Sequence, residues 1–378
     1  MRRFLQIFLL KPILWASKKF ASRPQRDKIF DALSLLQQHI QEHDEKKGIK
    51  IQLKQQDKFI VLSDQHRGTK NGADDFMIAE PNYLAALDHY FQNGFNFISL
   101  GDSEELWENT LYSVKKHNTV TFNAEKKFIQ KNRFYKIFGN HDLFWANDPL
   151  ASWHLKRIYD QEVKIYEGIV LEKSGVDSRE SGVKTPDSGP GTHNSVLTIF
   201  LTHGHQGDAS SDGNWFSKFF VANIWAPLQA YLKINPNTPA YDEELKSEHN
   251  HIMYDWSAEQ KDLLLITGHT HQPIFESLTF PERLQREIKK AKEENYLARV
   301  KELETEFKTR VKGKMKINPD FLKMKPSYFN SGCCCFNDGD ITGIEITSET
   351  ISLIKWSTEK GREVLEKTTF IDLLKHLK

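Results

Sequence analysis

The chain has few cysteines, no long hydrophobic run and almost no net charge, and each absence excludes something. Its three cysteines are consecutive, Cys333 to Cys335. Neighbours in an extended run point to opposite faces, so these thiols read as small buried side chains of a strand and not as bridges. They favour a reducing compartment, hence the cytoplasm. The Cys-x-x-Cys spacing of zinc sites is missing, so no zinc site is expected there. The apolar stretch within Met1 to Phe20 is interrupted by Lys11 and Pro12 and is too short to span a bilayer. It also lacks the long apolar core and small-residue cleavage site of a signal peptide. With 52 basic and 51 acidic residues, the formal net charge of +1 provides no field to gather nucleic acid, and no nucleic-acid partner is expected.

What is present is one syntax, used five times. Lys58-Phe59-Ile60-Val61-Leu62 leads into Asp64 and His66, and Phe95-Asn96-Phe97-Ile98-Ser99-Leu100 into Gly101-Asp102. Phe134-Tyr135-Lys136-Ile137-Phe138 leads into Gly139-Asn140-His141-Asp142. Leu197-Thr198-Ile199-Phe200-Leu201 leads into His203-Gly204-His205, and Leu263-Leu264-Leu265-Ile266 into Gly268-His269-Thr270-His271. Short apolar runs closed by turn residues read as buried strands. In open α/β sheets, ligands lie outside the carboxyl ends of the strands. The five endings should therefore converge, and their carboxylates, imidazoles and amide suit borderline or hard divalent ions such as Mn, Fe or Zn.

Asp-x-His, Gly-Asp-x-x-Glu, Gly-Asn-His-Asp, His-Gly-His and Gly-His-x-His, in that order from Asp64 to His271, resemble the calcineurin-like metallophosphoesterases. The resemblance implies an α/β fold, a two-sheet α/β/β/α sandwich with a helical insertion, and a cofactor of two divalent metal ions. By the family pattern Asp64, His66 and His271 hold one ion, Asn140, His203 and His269 the other, and Asp102 bridges them. Ions ~4 Å apart would clamp a phosphoryl oxygen and activate a bridging water for in-line attack. His141 is implied as the catalytic group that stabilises the transition state or protonates the leaving oxygen. Glu105 and Asp142 would orient the ligands. His205 stays open between such a role, a further ligand and a hydrogen-bonded turn residue. Arg67, beside the first motif, is expected to touch phosphate.

The substrate is less defined. The Asp-Arg-Gly sequence expected after the second motif in protein Ser/Thr phosphatases is replaced by Glu105-Leu106-Trp107. A partial similarity to UDP-2,3-diacylglucosamine diphosphatases rests on Gly-Asp-x-x-Glu, on the His-Gly turn followed by an aromatic insertion, and on Tyr328-Phe329-Asn330-Ser331-Gly332. It implies attack on the pyrophosphate of a lipid-linked nucleotide, although those enzymes carry Arg where this chain has His141. A phosphodiesterase of nucleotides or cyclic nucleotides, which keeps Gly-Asn-His-Asp, is the alternative. A non-catalytic scaffold on the same fold should have lost ligands, and none is missing.

The chain divides into an N-terminal helical segment (1–48), a core (49–207), a helical lid-like insertion (208–260), the core strand of the fifth motif (261–280), a charged helical insertion (281–325) and C-terminal strands (326–378). Two readings of Met1 to Phe20 stay open. It is an interfacial anchor, its basic residues at anionic headgroups and its apolar ones in the membrane, or a helix packed on protein. Ile29, Phe30, Leu33, Leu36 and Ile40 predict a core-packed helix over Arg26 to Glu45. Further helices are expected over Pro81–Asn93, Glu104–Gln130 and Leu143–Asp160. Lys173 to Ser195 reads as a long loop. In the insertion, Trp215, Phe216, Phe219, Phe220, Trp225 and Tyr231 would shape the substrate pocket, and His249 and His251 read as surface groups.

Overall fold

The computed structural model describes residues 23–43, 47–72, 74–174, 196–207, 243–311 and 317–377. Met1 to Phe20, the aromatic cluster from Trp215 to Tyr231 and nearly all of the Lys173–Ser195 loop lie outside them.

The strands among the described residues, in chain order, are β1 (Gly48–Gln52), β2 (Lys58–Leu62), β3 (Asn96–Leu100), β4 (Phe134–Ile137), β5 (Ile165–Tyr166), β6 (Gly168–Lys173), β7 (Leu197–Thr202), β8 (Leu263–Thr267), β9 (Tyr328–Asn330), β10 (Ile341–Thr347), β11 (Thr350–Ser357) and β12 (Gly361–Thr369). They form two sheets, ordered β1-β6-β7-β8-β9 and β12-β11-β10-β2-β3-β4-β5. β2, β3 and β4 are parallel neighbours in the larger sheet, and β7 and β8 in the smaller one. All five motif strands thus end at adjacent places.

The inner strands are apolar on both sides because the sheets are covered there on both sides. In β2, Phe59 and Val61 join the layer between the sheets, while Ile60 and Leu62 pack outward. In β8, Leu264 and Ile266 face inward, and Leu263 and Leu265 outward. The helix α1 (Arg26–Glu42) covers the smaller sheet with Ile29, Leu33, Leu36 and Ile40, as its periodicity predicts. The helix α2 (Phe76–Gln92) covers the larger sheet with Phe76, Ala79, Tyr83, Ala86, Leu87 and Tyr90. The result is an α/β/β/α sandwich.

Several boundaries differ from expectation for local reasons. α2 begins five residues before Pro81, because the Phe76 amide donates to Asp74 Oδ1 at 3.0 Å and starts the helix there. The expected helix from Glu104 to Gln130 is two helices, α3 (Leu111–His117) and α4 (Thr119–Ile129). Asn118 stands between them, its Nδ2 donating to Gly68 and Val114 carbonyls, and residues before Thr110 belong to the site loop. Pro149 separates α5 (Phe144–Asn147) from α6 (Ala151–Tyr159). The part of the insertion within the described residues, α7 (Glu243–Glu259), packs Ile252, Met253 and Trp256 on the smaller sheet. This part forms a wall of the core.

The charged segment is a helical hairpin, α8 (Phe280–Glu293) and α9 (Leu297–Arg310), with its own small core of Leu284, Ala291, Val300 and Leu303. The run of cysteines is not strand: β9 stops at Asn330, and Cys333 to Cys335 lie buried in the loop that follows. The β12 edge strand and α10 (Phe370–Leu377) were not expected. β12 carries Glu363, Glu366 and Lys367, a charged composition that hides a strand but suits an exposed edge. Among the described residues no helix is long and apolar enough to cross a membrane.

Candidate metal centre

The strand endings turn through unusual backbone. Asp64 (φ 52°), His66 (49°), Asp102 (48°), His269 (68°) and His271 (55°) all sit in the left-handed region. Such conformations cost about 1–3 kcal/mol each outside glycine and cluster at functional sites. Here they let single turns aim alternate side chains into one volume. Gly101 (φ 88°) is needed twice over, since a Cβ there would lie 2.5 Å from His203 Nδ1.

Two sets of donors result. In the first, His66 Nε2 lies 3.1 Å from His271 Nε2, which is 3.3 Å from Asp64 Oδ1. In the second, His203 Nε2 lies 3.2 Å from Asp102 Oδ2, with His269 beside it. Asp102 Oδ2 is also 3.7 Å from His66 Nε2, so this carboxylate stands between the sets. Bonds of about 2.0–2.2 Å to one ion place adjacent donors roughly 3–3.6 Å apart, which is the spacing found. Each set is a buried or nearly buried group able to hold a metal ion. Asn140 Oδ1 and His205 Nδ1 are buried with no hydrogen-bond partner among the described residues. A buried polar atom left unpaired is costly, so these atoms also fit a cation.

The partners of the rings fix which nitrogen is free. His203 Nδ1 donates to the Leu100 carbonyl at 2.9 Å, which leaves Nε2 toward Asp102. His66 Nδ1 donates to Glu105 Oε2 at 3.0 Å, which leaves its Nε2 toward His271. A ligating histidine usually holds its other N–H in this way. The Asp142 carboxylate accepts from the Ser103 amide at 3.0 Å and the Gly139 amide at 2.5 Å, tying the second motif loop to the third. Asp102 Oδ1 accepts from the His141 amide at 2.8 Å.

Electrostatically the centre is a pool of close opposite charges. Burial pushes the Asp102 carboxyl up, but His203 and His141 hold it well below the usual range. Burial pushes His141 down, yet Glu105 and Asp102 raise it to about 10. Burial and the neighbouring His203 push His205 down to about 3, so its ring is neutral. Burial and Glu105 push Glu108, beside this cluster, up to about 8.

His141 sits at the rim. Its Nδ1 is 2.7 Å from Glu105 Oε2, and Trp107 stacks on its ring at 4.8 Å. A cavity of about 410 Å³ opens beside it, lined by Leu106, Trp107, Phe144 and Pro149 among others.

Arg67 is not where it was expected. It is fully buried: Nε donates to the Ser103 carbonyl, Nη1 to Glu125 Oε1 at 2.6 Å and Nη2 to Glu104 Oε1 at 2.5 Å. Its donors are directed at these partners beneath the site, so it does not reach a phosphate. His249 also departs from expectation. It is buried, its Nε2 lies 2.8 Å from the Gly204 carbonyl, and its ring stands 5.0 Å from that of His269. Its spacing from Ile252, Met253 and Trp256 puts it on the same helical face, a signal present in the sequence. His251 is exposed, as expected. Trp107 and Glu108 had no sequence signal at all.

No family model and no curated protein matches the chain. Solved structures resemble it distantly. A predicted phosphoesterase from Streptococcus pneumoniae is 12% identical over 83% of this chain and 98% of its own, with a TM-score of 0.27. Vacuolar Protein Sorting 29 from Cryptosporidium parvum is 11% identical over 84% of this chain and 100% of its own, with a TM-score of 0.27. A mutant cold-active protein tyrosine phosphatase is 10% identical over 84% of this chain and 82% of its own, with a TM-score of 0.32. Likenesses this weak settle no activity, and the reading of the site rests on its own geometry.

Proposed function

We propose that the chain is a divalent-metal-dependent hydrolase of phosphate esters or anhydrides, of the calcineurin-like type. One observation carries this reading: two sheets bring Asp64, His66 and His271, and Asp102, His203 and His269, into adjoining donor sets through left-handed turns. Asn140 belongs with the second set, and Asp102 is shared. Ions held there would supply Lewis-acid polarisation of a phosphoryl oxygen and a nucleophile at neutral pH.

The chain's own groups do the rest. Glu105 orients both His66 and His141 through Oε2. His141, kept protonated by Glu105 and Asp102, is the group to donate to the leaving oxygen; cations near Asp102 would offset part of that carboxylate field and lower its pKa toward neutrality. Trp107 holds the ring from one face. The cavity beside His141 suits a substrate with an aromatic or apolar group next to its phosphate, and the pyrophosphate of a lipid-linked nucleotide is the specific substrate we favour. Met1 to Phe20 would then keep the enzyme at an anionic membrane surface; co-sedimentation with anionic liposomes at low salt, and none after deletion of that segment, is the expected result.

The activity test is direct. Chelator-stripped protein should hydrolyse bis(p-nitrophenyl) phosphate, p-nitrophenyl phosphate or a nucleotide-linked diphosphate only after Mn, Fe or Zn is restored. The ratio of the two chromogenic rates separates diesterase from monoesterase behaviour. No hydrolysis of any of these with any of the three metals would overturn the reading.

A further inference from the structure

His271 faces two chemistries. Its Nε2 looks toward the oxygen and nitrogen donors Asp64 and His66. Its Nδ1 looks toward sulfur, with Cys335 Sγ 3.6 Å away. Cys333 joins them, and the three donor atoms lie within 4.8 Å of one another. Both thiols are buried, at 1% and 7% exposure. Cys334 turns the other way, its Sγ 3.9 Å from the Thr342 carbonyl and its side chain in the outer core. The loop after β9 therefore presents alternate thiols, and only the inward pair meets the imidazole. The spacing rule for zinc cysteines missed this because the third donor comes from the end of β8.

We propose that Cys333 Sγ, Cys335 Sγ and His271 Nδ1 form a binding site for a thiophilic ion, zinc, cadmium or copper(I), distinct from the oxygen-rich sets beside it. Zinc bonds of about 2.3 Å to sulfur and 2.0–2.1 Å to nitrogen give a tetrahedral N–S edge of roughly 3.6 Å, the separation already present. Thiolate donors select soft ions where carboxylates select hard ones, so the two sides of one imidazole discriminate between metals. Binding releases the thiol protons to solvent. A neutral imidazole offers one lone pair, whereas an ion on each nitrogen requires the ring to lose its remaining proton. Occupation of the sulfur side therefore opposes occupation of the Asp64–His66 side. The site does not depend on the phosphoesterase reading.

The test is a cadmium titration of the chelator-stripped full chain in a phosphine reductant, followed by the ultraviolet thiolate-to-cadmium charge-transfer band. The expected result is a saturable band that is lost in Cys333→Ser and in Cys335→Ser and retained in Cys334→Ala. Prior loading with Mn should shift the cadmium titration to higher concentration. Circular dichroism checks that each variant is folded, and the wild-type titration stands without them. Cadmium uptake with no thiolate band, or a band that survives in the Cys333→Ser/Cys335→Ser double variant, would overturn the site. A titration indifferent to Mn would overturn its coupling through His271.

Discussion

Glu104 and Glu105 are chain neighbours, both buried, and they serve opposite clusters. Glu104 faces down, to Arg67 at 2.5 Å, Lys136 at 2.9 Å and the Trp145 indole at 2.7 Å. Glu125 completes that network, accepting from Arg67 and from the Tyr83 and Tyr159 hydroxyls. The network sets two basic side chains, Arg67 and Lys136, against two carboxylates, and the oxygens are taken. Glu105 faces up, to His66 and His141, and its Oε1 is buried without a partner among the described residues. The lower cluster is closed, and the upper one has spare lone pairs and exchangeable protons. Burial alone thus does not mark a functional carboxylate; the nature of its partners does.

Mutations at the two levels should separate accordingly. The largest effect on rate is expected from His141→Ala, roughly 10²–10⁴-fold for substrates with poor leaving groups. The loss should be smaller for p-nitrophenolate, with metal content unchanged. An equal loss for both would assign His141 to charge stabilisation instead. Next is Glu104→Gln, which leaves Arg67 and Lys136 undercompensated in the interior and should cost about 3–5 kcal/mol in denaturant unfolding. Folded Glu104→Gln protein should bind metal normally. Smaller still, Glu105→Gln removes an outer partner of His66 and should weaken metal affinity roughly 10–100-fold by calorimetry, and it should lower stability, through the lost His141 pairing, by less than Glu104→Gln does. If Glu105→Gln unfolds the protein and Glu104→Gln spares it, the division between the clusters fails.

The subtlest effect is a titration. In the metal-free protein the His141 pKa is raised from 6.5 to about 10. The folded state therefore holds this proton more tightly than the unfolded one. The resulting stability is fully present below pH 6.5 and is lost as pH rises through about 10. Ring-nitrogen NMR should find His141 protonated at pH 8; a ring titrating at its ordinary value would remove the Glu105 pairing.

How much of this was legible follows from range. The five endings could be read because strand, turn and donor lie within a few residues, and their short apolar runs marked buried strands. Arg67 could not be read, because its partner Glu125 comes from α4 and only folding shows that the guanidinium points down. The cysteines failed for the same reason: the loop after β9 and the end of β8 meet only in three dimensions. β12 was hidden because an edge strand in contact with solvent carries charge where a buried one carries valine or isoleucine.

The central claim is that Asp102 joins two donor sets that hold divalent ions. It is tested most directly by titrating Mn into chelator-stripped wild-type and Asp102→Asn proteins by calorimetry, with folding checked by circular dichroism. The account predicts tight uptake by the wild type, and in the variant a loss of affinity larger than that of Glu105→Gln, together with loss of phosphoesterase turnover. Wild-type protein that takes up no Mn, or a folded variant that binds it as well as the wild type, would contradict it.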